Sequence, residues 1–400
     1  MNFLMITNTL PYPPTSGHPI RNFNLLKRIA KDLQVYLLVM IDEKEKESVD
    51  ISPLADFCKE IILVPTNDPG ALARPIQALR FLLSGTPIEL RLKETKEMIA
   101  ALRELNSRVD FDVIQFEDSY MAHYQEYLPA KWTGKKVLTF IDIAYRQYDR
   151  IYRIEPKTLR KLRLWLHSRL MYKWEPRYSA NFDLNITMSE LDRDVLLARN
   201  PSLNIIAIPN GVDTKEFQPL PIPDDESKNL IFMGSMNYRP NVDAVIFFCE
   251  EILPLIRAEV PVAELWIVGK TPLPEVEALA NDFVHITGSV EDVRPYYEKS
   301  SVCITPLRAG GGTRLKILES MALGRPIVST SIGCEGIAVK DGENILIGDD
   351  PQTFARQTVL LLQDEEKNQA IRSQARKLVV DHYDWDAITA RLLHAFDTLD

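Results

Sequence analysis

Residues 301–337 of the chain read SVCITPLRAGGGTRLKILESMALGRPIVSTSIGCEGI, and these residue types in this order describe an anion site. An apolar run, Val302–Thr305, stops at Pro306. Gly310, Gly311 and Gly312 follow, a helix is expected from near Thr313 to Gly324, and Pro326 opens the next strand. Glycines let the backbone come close to a ligand, and the N–H groups of a first helical turn have no partner inside the helix. Thr313, Lys316 and Glu319 with Ser320 lie three or four residues apart and so share one helical face. Lys316 offers a point charge to a diphosphate and Arg314 a guanidinium fork. The Glu319 carboxylate, further along the helix, suits a bidentate contact to two neighbouring hydroxyls, as on a ribose. The competing reading is a plain αβ turn with a solvated Lys–Glu pair, worth roughly a few tenths of a kcal/mol. Each of three consecutive glycines costs about 1 kcal/mol in chain entropy against alanine, which counts against the plain turn.

The elements that would position these residues follow one pattern. Short β-branched runs alternate with amphipathic helical segments, the sign of an α/β protein with parallel sheets. In the first half the runs are Asn2–Ile6, Val35–Val39, Glu60–Val64, Val113–Phe116, Lys136–Phe140, Leu184–Thr187 and Ile205–Ile208. Several are nearly continuous in apolar residues, as strands covered on both faces are. Arg21–Leu33 carries apolar residues at helical spacing and completes a βαβ start. Gln218–Asn229 reads QPLPIPDDESKN, rich in proline and acid without periodicity, and is the linker candidate. The alternation restarts with Leu230–Met233, Leu265–Val268, Val284–Ile286, Val302–Thr305, Pro326–Ser329 and Ile345–Ile347. Helical patterns at Pro351–Leu362 and Glu365–Val380 precede a last segment, Trp385–Leu399, behind Asp384 as N-cap. Its apolar face (Ile388, Leu392, Leu393, Phe396) needs cover, which a return to the first domain would supply. The expected organisation is two Rossmann-like doubly wound domains, 1–217 and 230–383, a linker at 218–229 and a returning helix at 384–400.

Bulk properties remove several function classes. A chain of 400 residues exceeds what one core spans, so two domains are expected. The net charge of −9 argues against a nucleic-acid partner. No run of ~18 apolar residues exists to span a bilayer. Met1–Asn8 lacks the basic start of a signal peptide and breaks off quickly into polar residues and proline. Cys58, Cys249, Cys303 and Cys334 form no CxxC pair, so buried thiols in a reducing cytoplasm are expected in place of zinc or disulfides. His123, His167, His285, His382 and His394 have no metal or triad spacing and read as structural. Asn210, Gly211 and Asp213 read as the turn closing the first domain, and Asp384–Asp386 as a helix cap and surface charge.

The segment GGGTRLKILESMALGRPIVST resembles the sugar-nucleotide motif of the family 4 retaining glycosyltransferases, in a subgroup with a glycine-rich T-R-x-K loop. IPNGVDTKEF at Ile208–Phe217 resembles the family's signature at the exit of its first domain, and LIFMGSMNYRPNV at Leu230–Val242 the first strand and turn of its second. Phe283–Leu307, FDLNITMSELDRDV at Phe182–Val195 and NTLPYPPTSGHPIR at Asn8–Arg21 fit further segments of the same family. The resemblance implies the GT-B fold, two facing Rossmann-like domains with a cleft between them. Residues 1–217 would bind the acceptor, a glycan or a lipid-linked sugar, and 230–383 the nucleotide-diphosphate sugar. Lys316, Arg314 and Asp142 are the implied catalytic candidates. Gly310, Gly311, Gly312, Thr313, Glu319, Gly17, His18, Gly234, Arg239 and Val290 are the implied substrate contacts. The implied chemistry is retention by a front-side path, with the leaving diphosphate taking the acceptor proton. It uses no metal and no cofactor besides the donor. The sequence departs from the pattern at four places. Gly311 stands where a first glutamate is usual, His18 where a second loop glycine is, Ile141 where a histidine precedes Asp142, and Arg239 alone where a basic pair is. Two other readings fit the same residues: a GT-B module that binds nucleotide sugar without turnover, and a GT-B sugar-nucleotide epimerase.

One further segment stands apart. Arg146–Arg177 holds ten basic residues against three acidic ones, with Tyr145, Tyr148, Tyr152, Trp165, Tyr172, Trp174 and Tyr178 interleaved. Basic residues with tryptophan on one helix suit an anionic membrane face, which would make the enzyme cytoplasmic and peripheral. The alternative is a solvated helix whose aromatics pack into the first domain.

Overall fold

The structure, a computed structural model, describes residues 1–43, 49–66, 87, 94–155, 159–221, 228–310 and 314–399. The chain divides into two compact units, one of Met1–Pro209 with Asp386–Asp400 and one of Asn210–Trp385.

The first unit is built on a parallel sheet of β1 (Asn2–Thr7), β2 (Gln34–Asp42), β3 (Cys58–Thr66), β4 (Val113–Glu117), β5 (Lys135–Phe140), β6 (Leu184–Thr187) and β7 (Ile205–Ala207). Its order is β3-β2-β1-β4-β5-β6-β7, so the winding reverses between β1 and β4. Crossover connections leave a crevice at the carboxyl ends of the strands at such a point. Helix α1 (Gly17–Ile29) joins β1 to β2. It begins earlier than the Arg21–Leu33 pattern, so Gly17 and His18 lie in its first turn instead of in a loop. Ser16 is extended at the N-cap (φ −153°, ψ 167°), and Pro19 is tolerated because a first-turn N–H needs no helical partner. Helices α2 (Ala144–Ile154) and α3 (Leu159–Tyr178) follow β5. On one sheet face Leu4, Ile6, Leu38, Phe116 and Leu138 pack with Met98, Leu102 and Leu105 of the helix Lys96–Arg108. On the other, Phe3 stacks on Phe396 at 5.7 Å, and Ile388 and Leu392 of the helix Trp385–Asp397 are buried. Asp386 of that helix accepts from Arg28 Nε at 2.6 Å, and Arg391 donates to the Ala207 carbonyl at 3.0 Å.

The second unit repeats the plan with β8 (Asn229–Met233), β9 (Glu264–Val268), β10 (Val284–Gly288), β11 (Val302–Thr305), β12 (Ile327–Ser329) and β13 (Leu346–Ile347) in the order β10-β9-β8-β11-β12-β13. All its strand pairs are parallel, and its reversal lies between β8 and β11. Alternation along the strands fills two separate apolar layers. Leu230, Phe232, Leu265, Ile267, Val302, Ile304 and Val328 point into one layer, and Ile231, Val268, Cys303 and Ile327 into the other. Helices α4 (Arg239–Phe247) and α5 (Leu315–Ala322) start beside the reversal.

The units part at Pro209–Asn210, ahead of the 218–229 segment. Residues 210–221 pack on the second unit. Val212 N–H donates to the Tyr383 carbonyl at 2.9 Å and Leu220 N–H to the Leu323 carbonyl at 3.0 Å. Arg325, only 1% exposed, donates to the Tyr297 carbonyl at 2.8 Å and to the Pro221 carbonyl. Among the described residues of the segment, the backbone at Leu220 and Pro221 is held by this buried arginine. Residues 222–227 lie outside the described residues.

The β8 and β9 strand ends approach closely. A Cβ on Gly269 would lie 1.7 Å from the Gly234 carbonyl oxygen, whereas one on Gly288 (φ +68°) meets nothing within 4 Å. Gly288→Ala should therefore cost about 1–2 kcal/mol, the left-handed backbone penalty, and Gly269→Ala clearly more, as the two strand ends must separate. Thermal unfolding of the two variants side by side checks this; equal midpoints would refute the close approach.

Candidate functional site

Each unit carries a polar cluster at the carboxyl edge of its sheet, where the winding reverses.

In the second unit, α5 begins at Leu315, with Arg314 as N-cap (φ −83°, ψ 92°), later than the expected start near Thr313. Gly311, Gly312 and Thr313 lie outside the described residues. The extended backbone at Arg314 turns its guanidinium back across Gly310. A Cβ on Gly310 would sit 2.8 Å from Arg314 Nη2 and 3.5 Å from the Tyr238 hydroxyl. Gly310 has φ +120°, a conformation that suits only glycine, and its missing side chain makes room for an arginine that is 9% exposed. Lys316, in the first turn of α5, donates from Nζ to Asn241 Oδ1 at 3.0 Å and lies 4.1 Å from the centre of the Phe232 ring. Asn241 is itself oriented by its bond to the Ser235 carbonyl at 3.0 Å. Gly234 leaves the space these groups use, since a Cβ there would be 2.6 Å from Asn241 Nδ2 and 3.0 Å from Lys316 Nζ. The ammonium thus rests on a neutral amide and an aromatic face.

Burial pulls the Lys316 ammonium down to about 7; Arg314 adds to this and Glu319 opposes it. Burial pushes the Glu319 carboxyl up to about 7, opposed by Lys316 and helped by Glu216. An arriving anion would restore the lysine's charge, so the arrangement suits a ligand that brings negative charge. Ser320 turns inward to the Lys316 carbonyl at 2.7 Å and the Tyr297 hydroxyl. Two expected contacts sit differently. Arg239 pairs with Glu275 at 2.6 Å, each about half exposed, and the side chain of Val290 packs against the apolar layer that contains Tyr297 and Ile317. The loop after β11 is tied to α4 by Arg308, which pairs with Asp243 at 2.7 Å and lies over the Phe247 ring at 4.3 Å. Asn241, Phe232 and Tyr238 were not singled out from the sequence. Phe232 lies in β8 and the other two in the NYRPNV segment after it, where spacing alone says nothing about which residue reaches a lysine of a later helix.

In the first unit, His18 Nε2 lies 3.5 Å from Oε2 of Glu117, the fully buried last residue of β4. Arg21, also fully buried, follows on α1 and donates to the Pro209 carbonyl at 2.9 Å. Gln115 donates to the other Glu117 oxygen and, at 3.1 Å, to Thr139 Oγ1. Burial alone would raise Glu117, but His18, Arg21 and Gln115 outweigh it and hold the carboxyl below its ordinary value. Burial lowers the Arg21 guanidinium to about 10 against the pull of Glu117. With 15% of its side chain exposed, His18 is an imidazole clamped on a buried carboxylate with an edge toward solvent. Gly17 is the first residue of α1. Asp142, after β5, accepts from Gln147 Nε2 at 2.7 Å. Its loop is anchored by Glu175 of α3, a fully buried carboxyl that accepts from the Ala144 and Tyr145 N–H groups at 3.0 and 3.2 Å. Burial pushes Glu175 up to about 8, and those two hydrogen bonds oppose the rise.

The remaining candidates have structural partners. Asp384 accepts from Thr214 Oγ1 at 2.5 Å, and Asp213 closes a turn by accepting from the Lys215 and Glu216 N–H groups at 3.0 Å. His285 contacts Glu264 at 2.8 Å, and His167 stacks edge-on against Tyr148. All four cysteines are free. Among the described residues no three His, Cys, Asp or Glu side chains gather as a metal site, and no helix is long and apolar enough to cross a membrane.

Replacing Glu117 by Gln removes the carboxylate whose charge acts on the buried Arg21 guanidinium, which costs about 3–5 kcal/mol, as in a buried pair. Because Glu117 titrates below its unfolded value, its contribution is full above pH 4.5 and is lost as the pH falls through the folded value. Urea unfolding should show Glu117→Gln destabilised at pH 7 and the gap closing in acid; a gap independent of pH would refute the ion-pair role.

The comparisons with known proteins fall on both units. A family model described as "Glycosyltransferase Family 4" matches residues 58–216, and one described as "Glycosyl transferases group 1" matches residues 227–364. An uncharacterised 44.6 kDa protein of the cps region of Klebsiella pneumoniae is 21% identical over 393 residues, 95% of this chain and 96% of that protein. The phosphatidyl-myo-inositol mannosyltransferase of Mycolicibacterium smegmatis is 24% identical over 204 residues, 48% of this chain, and the match spans 52% of that enzyme. Among solved structures, sucrose-phosphate synthase of Thermosynechococcus elongatus aligns over 100% of this chain and 99% of its own with a TM-score of 0.73 at 16% identity. HepE of Anabaena, solved with UDP, aligns over 100% of both chains with a TM-score of 0.68 at 14% identity. These likenesses establish the fold over the whole length, and the two family matches divide between the two sheets. The chain belongs to glycosyltransferase family 4, with the two Rossmann-like units of the GT-B fold.

Proposed function

We propose that this glycosyltransferase moves a hexose from a nucleotide-diphosphate sugar to a glycan or lipid-linked acceptor, with retention and without a metal. The observation that carries the reading is Lys316, a partly buried ammonium beside Arg314 at the start of a helix, resting on an amide and a ring. That is the equipment for a departing diphosphate. When the bond from the anomeric carbon to the diphosphate oxygen breaks, the electron pair stays on that oxygen. Lys316, Arg314 and the first N–H groups of α5 stabilise the charge that collects there. The acceptor hydroxyl attacks from the same face and its proton passes to the diphosphate, so no side chain has to act as nucleophile. Glu319 is assigned to the ribose hydroxyls. The relative HepE has been solved with UDP-glucose, which supports a nucleotide-sugar donor. The first unit is assigned to the acceptor. There the His18 imidazole, steadied by Glu117, is assigned to a hydroxyl of the sugar or acceptor, with Asp142 in the loop after the neighbouring strand. Four free cysteines fit work in the cytoplasm.

Calorimetry with UDP, GDP and ADP and their sugars is the direct test. One nucleotide diphosphate should bind, and Lys316→Ala should weaken it about tenfold or more, the loss of one charge-assisted hydrogen bond. Burial holds the Lys316 ammonium down to about 7, and a bound diphosphate would raise it. Binding should therefore take up protons and weaken from pH 6.5 to 9, and this dependence should vanish in Lys316→Ala. An affinity indifferent to the substitution would remove the reading. His18→Ala should leave nucleotide affinity intact while lowering kcat of transfer. The anomeric configuration of the product, read by NMR, tests retention.

A further inference from the structure

We propose that the outward face of α3 docks on an anionic lipid bilayer. The helix has two stripes of opposite character. Leu164, His167, Ser168, Met171 and Glu175 are buried at helical spacing and face the first unit. On the other side, Leu159 is 88% exposed, Leu162 61% and Trp165 41%. Arg169, Lys173 and Arg177 continue this exposed stripe toward the helix end.

Two features of this face need a partner. First, three large apolar side chains stand in water within two turns, while the neighbouring aromatics are accounted for. Tyr145 packs edge-on against Tyr172 at 5.1 Å, Trp174 stacks on Tyr178 at 4.3 Å, and Tyr145, Tyr148 and Trp174 pack beside the buried Met171. Trp165 is the tryptophan of the segment that stays outside. Second, the only carboxylate in the sequence of α3 is Glu175, and it is buried. The exposed face therefore carries charge of one sign, on a chain whose net charge is −9.

A lipid surface answers both features. Leucines and tryptophan enter at the boundary between headgroups and acyl chains, while arginine and lysine lie along anionic headgroups. A nucleic acid would use the charge and leave the leucines in water. An acidic protein would answer the charge too, and the experiment separates it from lipid. Arg160 is partly neutralised by Glu155 at 3.6 Å, so the stripe of Arg169 and Lys173 is the part to change.

The test uses the full chain with vesicles of phosphatidylglycerol or phosphatidylcholine, sedimented at low salt. The protein should sediment with the first and not with the second. The pair Arg169→Glu and Lys173→Glu should lower partitioning at least about tenfold, since each basic residue near an anionic surface counts severalfold. The pair Leu159→Asp and Leu162→Asp should lower it comparably. Trp165 emission should shift to the blue on binding, and Trp165→Phe should remove the shift. All these positions are exposed, so an unchanged melting temperature shows that the variants fold. Protein left in the supernatant with phosphatidylglycerol overturns the proposal, as does binding that survives either pair of substitutions. Vesicle binding needs no turnover, so its outcome is independent of the transferase reading.

Discussion

Both units depend on one topological constraint. Parallel strands need right-handed crossovers, and a sheet that grows outward from a central strand in both directions must reverse its winding once. At that reversal neighbouring crossovers run to opposite faces, so no helix covers the strand ends and polar groups can collect there without blocking the core. In the first unit the reversal lies between β1 and β4; His18 lies on the helix that follows β1, and Glu117 ends β4. In the second it lies between β8 and β11, and the residues that follow supply Gly234, Asn241, Arg314 and Lys316. The chemistry in each unit is placed by the strand order, and the side chains refine it.

The two clusters solve the burial of charge in different ways. In the first unit, Glu117 is compensated by His18, Arg21 and Gln115, so the carboxylate stays ionised out of water. Such a network costs desolvation and gives rigidity in return. In the second unit the lysine is only loosely compensated, and its proton is held weakly. A rigid imidazole suits the orientation of a neutral hydroxyl, and a weakly held proton suits the arrival of an anion.

Much of this was legible in the sequence, because strands covered on both faces have to be apolar throughout. Each expected strand is present with its ends shifted by at most three residues, as with Val35–Val39 against Gln34–Asp42. Lys316 and Glu319 were legible because a helix fixes the spacing of its own side chains. Helix starts were less so. Arg21–Leu33 was read from its apolar stripe, but Gly17 to Ile20 carry little of it, and their turn is closed by the backbone bond from Ile20 N–H to the Ser16 carbonyl. Arg314 looked helical and is a cap residue, since only the backbone turn at Gly310 decides where its guanidinium goes. Glu117 and Asn241 were missed for a common reason: each owes its place to a partner far along the chain, His18 or Lys316, and local patterns carry no such information. Arg325 and the 218–221 backbone belong to the same class.

The depressed Lys316 has a consequence for selectivity. A site with a permanently charged lysine attracts any anion, chloride and monophosphates included. Here Arg314 supplies a fixed charge, while burial holds both the Lys316 ammonium and the Glu319 carboxyl at about 7, so part of the site's charge is adjustable. A negatively charged visitor would favour the protonated lysine, adding at most one positive charge to that of Arg314. Such a site ranks anions by their valence as well as their shape, and it would release a product whose charge had been reduced more readily than one that kept it.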